Sequence, residues 1–222
     1  NKSINIISSD ACTYAEAKVL HDATNTGYNL YDIEDNAANL AAGTITDVNV
    51  ISGAQTVTVV GTTNVSQASN IANISKSVTY SISDTGFNLK SLSSTNANAL
   101  NEAVNITATD SCTFSQAKAI EDATNSGNIS YSISDTASNI SAGIGSDEAV
   151  LTSNGVNTVA ANTYATAAEA NVLAGCSKAI IFSIKDTAEN IAGANELARS
   201  EAVNIISTTV ATVAQAEKIV EN

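Results

Sequence analysis

The 222-residue chain has no proline, methionine or tryptophan, a single histidine, three cysteines and only 4% aromatic residues. Basic residues are also scarce, since nine Lys and Arg stand against 22 Asp and Glu, and the net charge is −13. Nucleic-acid binding needs clustered Lys and Arg, so this balance argues against a nucleic-acid partner and against an anionic membrane surface. Ala, Asn, Ser and Thr fill the space, and regularly spaced Ile, Val and Leu predict a folded chain.

Long apolar runs are absent as well. A helix that spans a bilayer needs roughly 18–20 consecutive apolar residues, and no run in the sequence approaches that length. We therefore expect no membrane insertion. The chain begins at Asn1 rather than Met and shows no signal peptide, and we expect it to be a fragment of a longer protein or a processed product.

The short motifs that mark common enzymes are missing. The sequence contains no G-x-G-x-x-G, no phosphate loop, no His-rich metal set and no G-x-S-x-G. A catalytic cysteine needs a nearby histidine, and His21 occupies the helical position that Glu121 holds later in the chain, which predicts a surface residue. The adjacent Asp147 and Glu148 lie in a predicted loop without a basic partner. We predict that the protein is not an enzyme.

An internal repeat dominates what the sequence does contain. "YSISDT" occurs at Tyr80–Thr85 and at Tyr131–Thr136, with looser copies at Tyr31–Asn36 and Phe182–Thr187. The repeated aspartates, 49, 51 and 51 residues apart, are Asp35, Asp84, Asp135 and Asp186. An isoleucine precedes each by two residues and Tyr or Phe by four, an alternation that predicts a strand with one buried face. Ala or Gly two residues later and Leu or Ile five later predict a short helix. The aspartate therefore marks the point where a strand ends and a helix begins.

A second motif fills the other half of each period. A Ser, Thr or Asn followed three residues later by Glu or Gln is a capping box, which satisfies free N–H groups at a helix start. Five copies occur at spacings of 46–53 residues, and their first residues are Thr13, Asn64, Thr113, Thr166 and Thr212. Short apolar stretches with an asparagine precede them and are interpreted as strands: Asn5–Ile6, Val48–Val50, Val104–Ile106, Val156–Asn157 and Val203–Ile205.

The period of about 50 residues is therefore two coils of strand, turn, helix and return. A unit this small cannot bury its own apolar face and must stack on its neighbours. We predict an α/β fold, namely a right-handed solenoid of about nine coils with a parallel sheet. At about 4.8 Å per coil it is about 40 Å long. Residues 1–222 are expected to form one repeat array, with an inserted hairpin arm or extra strand at 51–63 and a loop-like insertion at 143–155. An all-β solenoid is the alternative.

The aspartate column has two readings. Calcium takes about six to eight oxygen ligands, but aspartates in alternate coils would lie about 10 Å apart, so one ion cannot join two of them. We favour an N-cap role for each aspartate and keep a calcium column as the lesser alternative, with no other cofactor expected. On the N-cap reading, Asp135→Asn costs little, whereas Asp135→Ala costs roughly 0.5–2 kcal/mol.

Two further sets of residues recur in the pattern. Asparagines lie four residues after each aspartate, and we expect them to be buried or half-buried amides that bond to the backbone of the return loop; they are Asn39, Asn88, Asn139 and Asn190. Cys12 and Cys112 occupy equivalent positions four coils, or about 19 Å, apart, too far for a disulfide. Cys176 has no evident partner, and all three thiols are predicted to be small core residues.

The repeat also carries a resemblance. "YSISDTASNISAG" followed by "AVNI…ATVAQAEKI" resembles tandem repeats of giant bacterial cell-surface, S-layer-like, hemolysin-like or adhesin-like proteins. The matching stretches are Tyr80–Leu89, Asn105–Ala123, Tyr131–Ile140, Phe182–Ile191 and Asn204–Glu217. The resemblance implies an acidic stalk, extracellular or on the bacterial cell surface. Members of the family are low in cysteine, so the three cysteines are a departure.

These features allow three functions. The first is a structural segment of a surface-layer or secreted surface protein, a spacer or lattice element whose partners are neighbouring repeats or other copies of itself. The second is an adhesion module that binds a host or cell-surface protein or a glycan through the sheet face or the 51–63 insertion. The predicted solvent face carries small polar residues such as Ser81 and Ser132 and no aromatic platform, which favours the first. A solenoid lyase or hydrolase ranks third.

Overall fold

The computed structural model describes residues 4–220, and within them it shows an α/β fold in which strands and short helices alternate along the chain. This confirms the predicted α/β class, and the helices exclude the all-β alternative. The chain divides into two compact units. The first comprises Asn1–Thr109 and Asp122–Ile129, and the second comprises Asp110–Glu121 and Ser130–Asn222.

The first unit contains two sets of paired strands, and every pairing is parallel. In one set β1 (Ile6–Ile7) pairs with β2 (Asn29–Leu30). In the other set β3 (Ile33–Asn36), β4 (Val57–Thr63), β5 (Thr79–Asp84) and the first part of β6 (Ile106–Cys112) follow one another. The helices of this unit are α1 (Tyr14–His21), α2 (Ala37–Thr46), α3 (Val48–Gly53), α4 (Val65–Ala72), α5 (Gly86–Thr95) and α6 (Ala97–Asn101).

The second unit follows the same plan. Strand β7 (Ile129–Asp135) pairs in parallel with β8 (Val156–Ala161), which pairs with β9 (Ile180–Ile181); β10 (Ile184–Asp186) pairs with β11 (Ile205–Ser207). The helices are α7 (Phe114–Glu121), α8 (Ala137–Asp147), α9 (Ala149–Thr152), α10 (Ala167–Ala174), α11 (Ala188–Gly193), α12 (Glu196–Glu201) and α13 (Val213–Val220).

The apolar columns of the repeat form the core of each unit. Tyr131 and Ile133 of β7 are buried, and so is Ile140 of α8, while the serines between the strand positions are half-buried. Alternating burial along the strand and burial every three to four residues along the helix are the two periods that the sequence predicts. Hydrophobic burial therefore fixes which face of each element points inward.

The segment 51–63, predicted as an inserted hairpin arm or an extra strand, contains strand β4, which lies between β3 and β5 in the ladder. The strand predicted at Val48–Val50 is wrong, because these residues begin helix α3. Helices α6, α9 and α12 occupy the same place in later coils. The error arose because a short buried helix and a strand look alike over three or four apolar residues.

Strand β4 nevertheless departs from a regular ladder. Its pairing with β5 shifts register between Thr58 and Thr62, and Gly61 between them has a φ of +83°. Such a φ is accessible to glycine without the steric cost that a Cβ imposes. A glycine with positive φ occurs in one type of β-bulge, and the register shift beside Gly61 accounts for the irregular spacing of this stretch in the sequence.

The predicted loop at 143–155 is also mostly helical. Helix α8 continues to Asp147, and α9 follows after a single residue. Asp147 is predicted to lack a basic partner, but it forms an ion pair with Lys118. The distance between Lys118 Nζ and Asp147 Oδ2 is 2.6 Å. The adjacent Glu148 accepts the backbone N–H of Ser177 at 3.2 Å. These acids therefore hold local structure and do not form a free acidic pair.

Candidate functional site

The repeated aspartate lies at the end of its strand, but it is not the N-cap of the helix that follows. The N-cap is the next residue, whose side chain accepts the backbone N–H of the residue three positions on. These N-caps are Asn36, Thr85, Thr136 and Thr187. The prediction placed the cap one residue too early, because Asp and Thr are both good capping residues and stand side by side in the repeat.

The aspartate instead joins two helices from neighbouring coils, and we call this arrangement the aspartate bridge. Oδ2 of Asp135 accepts the N–H of Phe114, the first residue of α7, at 2.9 Å. Oδ1 accepts the N–H of Thr136 at 2.7 Å and Nδ2 of Asn139 at 2.8 Å. The same contacts, with Oδ2 distances of 2.9–3.0 Å, are made by Asp35 with Tyr14, Asp84 with Val65 and Asp186 with Ala167.

The asparagine column completes each bridge. Asn39, Asn88, Asn139 and Asn190 are exposed, and each donates Nδ2 to Oδ1 of the aspartate four residues earlier at 2.8–2.9 Å. The expectation of buried amides bonded to a return loop is therefore wrong. An i, i+4 pair across the first helical turn brings the two side chains together, and the side-chain amide supplies a donor that the carboxylate needs.

Both oxygens of each bridge are thus occupied by N–H donors. A calcium ion needs the oxygen lone pairs that these hydrogen bonds use. Within residues 4–220, no group of three or more His, Cys, Asp or Glu side chains is placed to share a metal ion. The geometry therefore offers the calcium alternative no coordination site at the aspartate column.

The hydrogen bonds of the bridge shift the pKa of two aspartates. The N–H of Ala167 is the main cause that lowers the pKa of Asp186, and Asn190 and the Thr187 N–H lower it further against the opposing effect of burial. Burial has the largest effect on the pKa of Asp84 and would raise it, but the Val65 N–H, Asn88 and the Thr85 N–H together outweigh it and lower the pKa. In both cases the N–H donors favour the charged carboxylate.

These shifts predict a pH dependence of stability. An aspartate whose folded pKa lies below its ordinary value of 3.8 stabilises the fold fully above that pH, and this contribution disappears as the pH falls through the lowered folded pKa. We expect the free energy of unfolding in urea to fall more steeply below about pH 4 in the wild type than in Asp186→Asn. Equal slopes for the two proteins would contradict the ionised bridge.

The capping residues lie where the sequence places them. Thr13, Asn64 and Thr166 are N-caps of α1, α4 and α10, and each forms a complete capping box. Thr113 and Thr212 make the same reciprocal pairs, since their backbone N–H groups donate to Gln116 and Gln215 at 2.8 Å and their hydroxyls accept the return N–H groups at 3.3 Å. The first turn of each of these helices therefore has hydrogen-bond partners for its free N–H groups. Where an aspartate bridge is present, this turn also places the N–H of the residue after the cap within reach of the aspartate.

The buried tyrosines contribute a contact that the sequence reasoning missed. The hydroxyls of Tyr31, Tyr80 and Tyr131 each donate to a backbone carbonyl 19 residues later at 2.8 Å. Burial is the largest cause of a raised pKa in all three tyrosines. The sequence feature that could have indicated this contact is a Tyr, and not a Phe, at a buried position of the repeat, since a buried hydroxyl needs a hydrogen-bond partner.

His21 lies beside this contact and not on an open surface. Its Nδ1 is 3.0 Å from the Tyr31 hydroxyl, and Glu121 Oε2 lies at the same distance from the Tyr131 hydroxyl. The structure therefore supports the equivalence of positions 21 and 121, although His21 is half-buried where the sequence predicted a surface residue. Its environment is a structural contact with the tyrosine.

The three cysteines are free thiols. Cys12 and Cys112 are buried, and Cys176 is half-buried. Burial, with a smaller effect from Asp110, raises the pKa of Cys112 to about 11. Burial also raises the pKa of Cys176. Because the thiolate is the reactive form, these environments suit small packing residues better than nucleophiles.

The second unit contains a groove that departs from the repeat. Its lining consists of Ala161, Asn162, Thr163, Tyr164 and Ser183, and its volume is about 270 Å³. Nζ of Lys185 lies 5.6 Å from the centre of the Tyr164 ring. Tyr164 lies outside the strands, whose exposed positions were predicted to carry no aromatic platform, and its side chain is 50% exposed.

No helix within residues 4–220 combines the length and the apolar character that crossing a membrane requires. Comparison of the chain with protein-family models, with curated proteins and with solved structures found no match in any of the three.

Proposed function

We propose that the chain is a non-catalytic repeat segment of a bacterial surface-layer or secreted surface protein, located outside the cell or on its surface, where it acts as a spacer or lattice element. In this proposal the coils form a right-handed solenoid of about nine turns. The aspartate bridges support it, because the same backbone-directed contact recurs between the two coils of each repeat in both units. The acidic composition, the repeat resemblance and the capping pattern agree with it.

One observation carries the proposal of end-to-end stacking. An alanine in the first turn or two of each capped helix is fully buried at Ala17, Ala68, Ala117 and Ala170. The corresponding Ala216 of α13 is exposed, and α13 buries none of its described side chains. Positions that pack against a further coil elsewhere in the chain are therefore uncovered here.

The proposed occupant of this face is another coil of the same kind, either a further repeat of a longer chain or the first coil of a second copy. The first coil exposes Ile4, Ile7 and Val19, which offer an apolar surface to pack against α13. Joining the last coil of one copy to the first coil of the next is a head-to-tail contact, which generates open linear assemblies when the rotation does not close. Such an assembly is what a spacer or lattice element needs.

Sedimentation equilibrium over a range of protein concentrations tests this contact. We expect concentration-dependent association, weakened about tenfold, equivalent to about 1.4 kcal/mol, by Ala216→Glu because it places a charge in the contact. Ala214→Glu on the same helix, outside the buried column, is the matched control and should associate like the wild type. A chain that remains monomeric at all concentrations would contradict the lattice role.

An adhesion module remains the second candidate, and a specific observation favours it. The exposed Tyr164 with Lys185 beside it is a local departure from the repeat of the kind that a binding site requires. Its candidate partners are a host or cell-surface protein or a glycan. The 51–63 segment is the weaker candidate for the binding surface, because β4 is a paired strand of the ladder.

A further inference from the structure

Two positions of the repeat carry an aromatic residue and a cation at one place only among the copies compared. The residue two before each capping residue is Ala11, Thr62, Ser111, Tyr164 and Val210 in successive copies. The residue directly before each bridging aspartate is Glu34, Ser83, Ser134 and Lys185. The aromatic residue and the cation therefore enter together, in consecutive coils of the second unit. Neither substitution serves the core, because Tyr164 and Lys185 are both exposed.

The backbone holds these two side chains beside each other. The N–H of Ala165 donates to the carbonyl of Ser183 at 2.8 Å, and the N–H of Lys185 donates to the carbonyl of Ala165 at 2.9 Å. Ala165 also forms a parallel bridge with Ile184. The turn that carries Tyr164 is thus bonded directly to the strand that carries Lys185, so the groove between them is formed before any ligand arrives.

The polar groups of the groove have unused hydrogen-bonding capacity. Within residues 4–220, Lys185 makes no ion pair, and the side chains of Asn162 and Ser183 make no hydrogen bond. The cation, the amide and the hydroxyl surround one exposed aromatic ring, and this is the composition of a small polar binding site.

We propose that this groove binds a carboxylated sugar unit such as a uronate. The Tyr164 ring packs against the C–H face of the pyranose, while the Lys185 ammonium pairs with its carboxylate. Asn162 and Ser183 bond to the sugar hydroxyls. A neutral sugar would leave the lysine unpaired, and a small anion would leave the ring uncovered. The acidic surface elsewhere repels polyanions, so recognition is confined to short stretches at this groove.

An NMR titration of the intact chain with tri-galacturonate tests the site, with the fully methyl-esterified trisaccharide as the uncharged counterpart. We expect amide shifts at residues 162–165 and 183–185 with a Kd of about 1 mM, typical of a single small contact site. The ester should bind at least about tenfold more weakly, because it cannot pair with Lys185. No shift at these residues, or equal binding of acid and ester, would overturn the proposal.

Variants taken from the repeat itself provide matched controls. Tyr164→Thr and Lys185→Ser introduce the residues that other coils carry at these positions, so the fold is expected to persist, which urea unfolding verifies. Each should weaken tri-galacturonate binding at least about tenfold. Tyr28→Thr removes another exposed tyrosine and should leave binding unchanged. Unchanged affinity in both groove variants would overturn the proposal, and this result is independent of whether the chain assembles end to end.

Discussion

Replacing Asp135 with Asn is expected to lower the free energy of unfolding by about 2–4 kcal/mol, since hydrogen bonds to charged groups contribute about 1.5–3 kcal/mol each. All three groups that Asp135 accepts from are N–H donors, two at Oδ1 and one at Oδ2. Asparagine has one carbonyl oxygen and one NH₂ group, so a donor must face a donor at one side. The site is buried, with Asp135 only 6% exposed, and water cannot relieve the mismatch.

This reverses the expectation from the sequence, where an N-cap role predicted that Asn would substitute well. Urea unfolding measures the total loss, and amide hydrogen exchange at Phe114 measures the loss of the bridge itself. The exchange rate should rise in Asp135→Asn, because the Phe114 N–H loses its acceptor. Glu201→Gln removes an exposed carboxylate and should change stability by less than about 0.5 kcal/mol. A variant as stable as the wild type, with Phe114 still protected, would restore the N-cap reading.

Gly127→Ala is expected to cost about 1–3 kcal/mol, the usual range for overpacking. A Cβ at this position would lie 2.5 Å from the carbonyl oxygen of Val104 and 2.7 Å from Oδ1 of Asn105. The carbonyl belongs to the backbone and cannot rotate away. Asn105 is also committed, because its Oδ1 accepts the N–H of Asn128 at 2.9 Å. The loop must therefore move and lose hydrogen bonds.

Gly145→Ala is the matched control, since a Cβ there would meet nothing within 4 Å and the residue lies inside α8. It should raise stability by about 0.5–1 kcal/mol, because alanine is the better helix former. Opposite signs for the two substitutions, measured by urea unfolding, are the expected result. Equal effects would show that backbone entropy alone decides both sites and that the close approach at Gly127 is unimportant.

The sequence predicted most of the local architecture. Alternation around the aspartates identified the strands, and the five capping boxes located the starts of α1, α4, α7, α10 and α13. These signals are local, because a helix start and a half-buried strand are specified by residues a few positions apart. The solenoid itself remains part of the proposal. It is inferred from the need of each small coil to stack on its neighbours and not from a local sequence pattern.

The short second helices were not predictable in the same way. Helix α9 has only four residues, and Val150 and Leu151 in it are buried like residues of a strand. Too few positions exist for a 3.6-residue period to show. The wrong strand prediction at Val48–Val50 has the same cause, since these residues begin the short helix α3.

The bridge escaped prediction because its acceptor and its main donor are 19–21 residues apart. The donor is a backbone N–H, which every residue except proline carries, so no side-chain pattern marks it. What the sequence does show is the Asp with Asn four residues later, a pair whose contact is local. That pair could have indicated a carboxylate with a second function, since an N-cap does not need a dedicated amide.

The aspartate bridge does not depend on the side chain of the residue that donates to it. That residue is Tyr14, Val65, Phe114 or Ala167, whose side chains share neither size nor chemistry. Because the contact involves only the main chain of the donor, the first coil of each repeat can change its side chain at this position and still bond to the second coil. Substitution of the donor residue therefore leaves the hydrogen bond intact, whereas substitution of the aspartate removes it. This difference explains how a uniform backbone arrangement can carry variable surface residues.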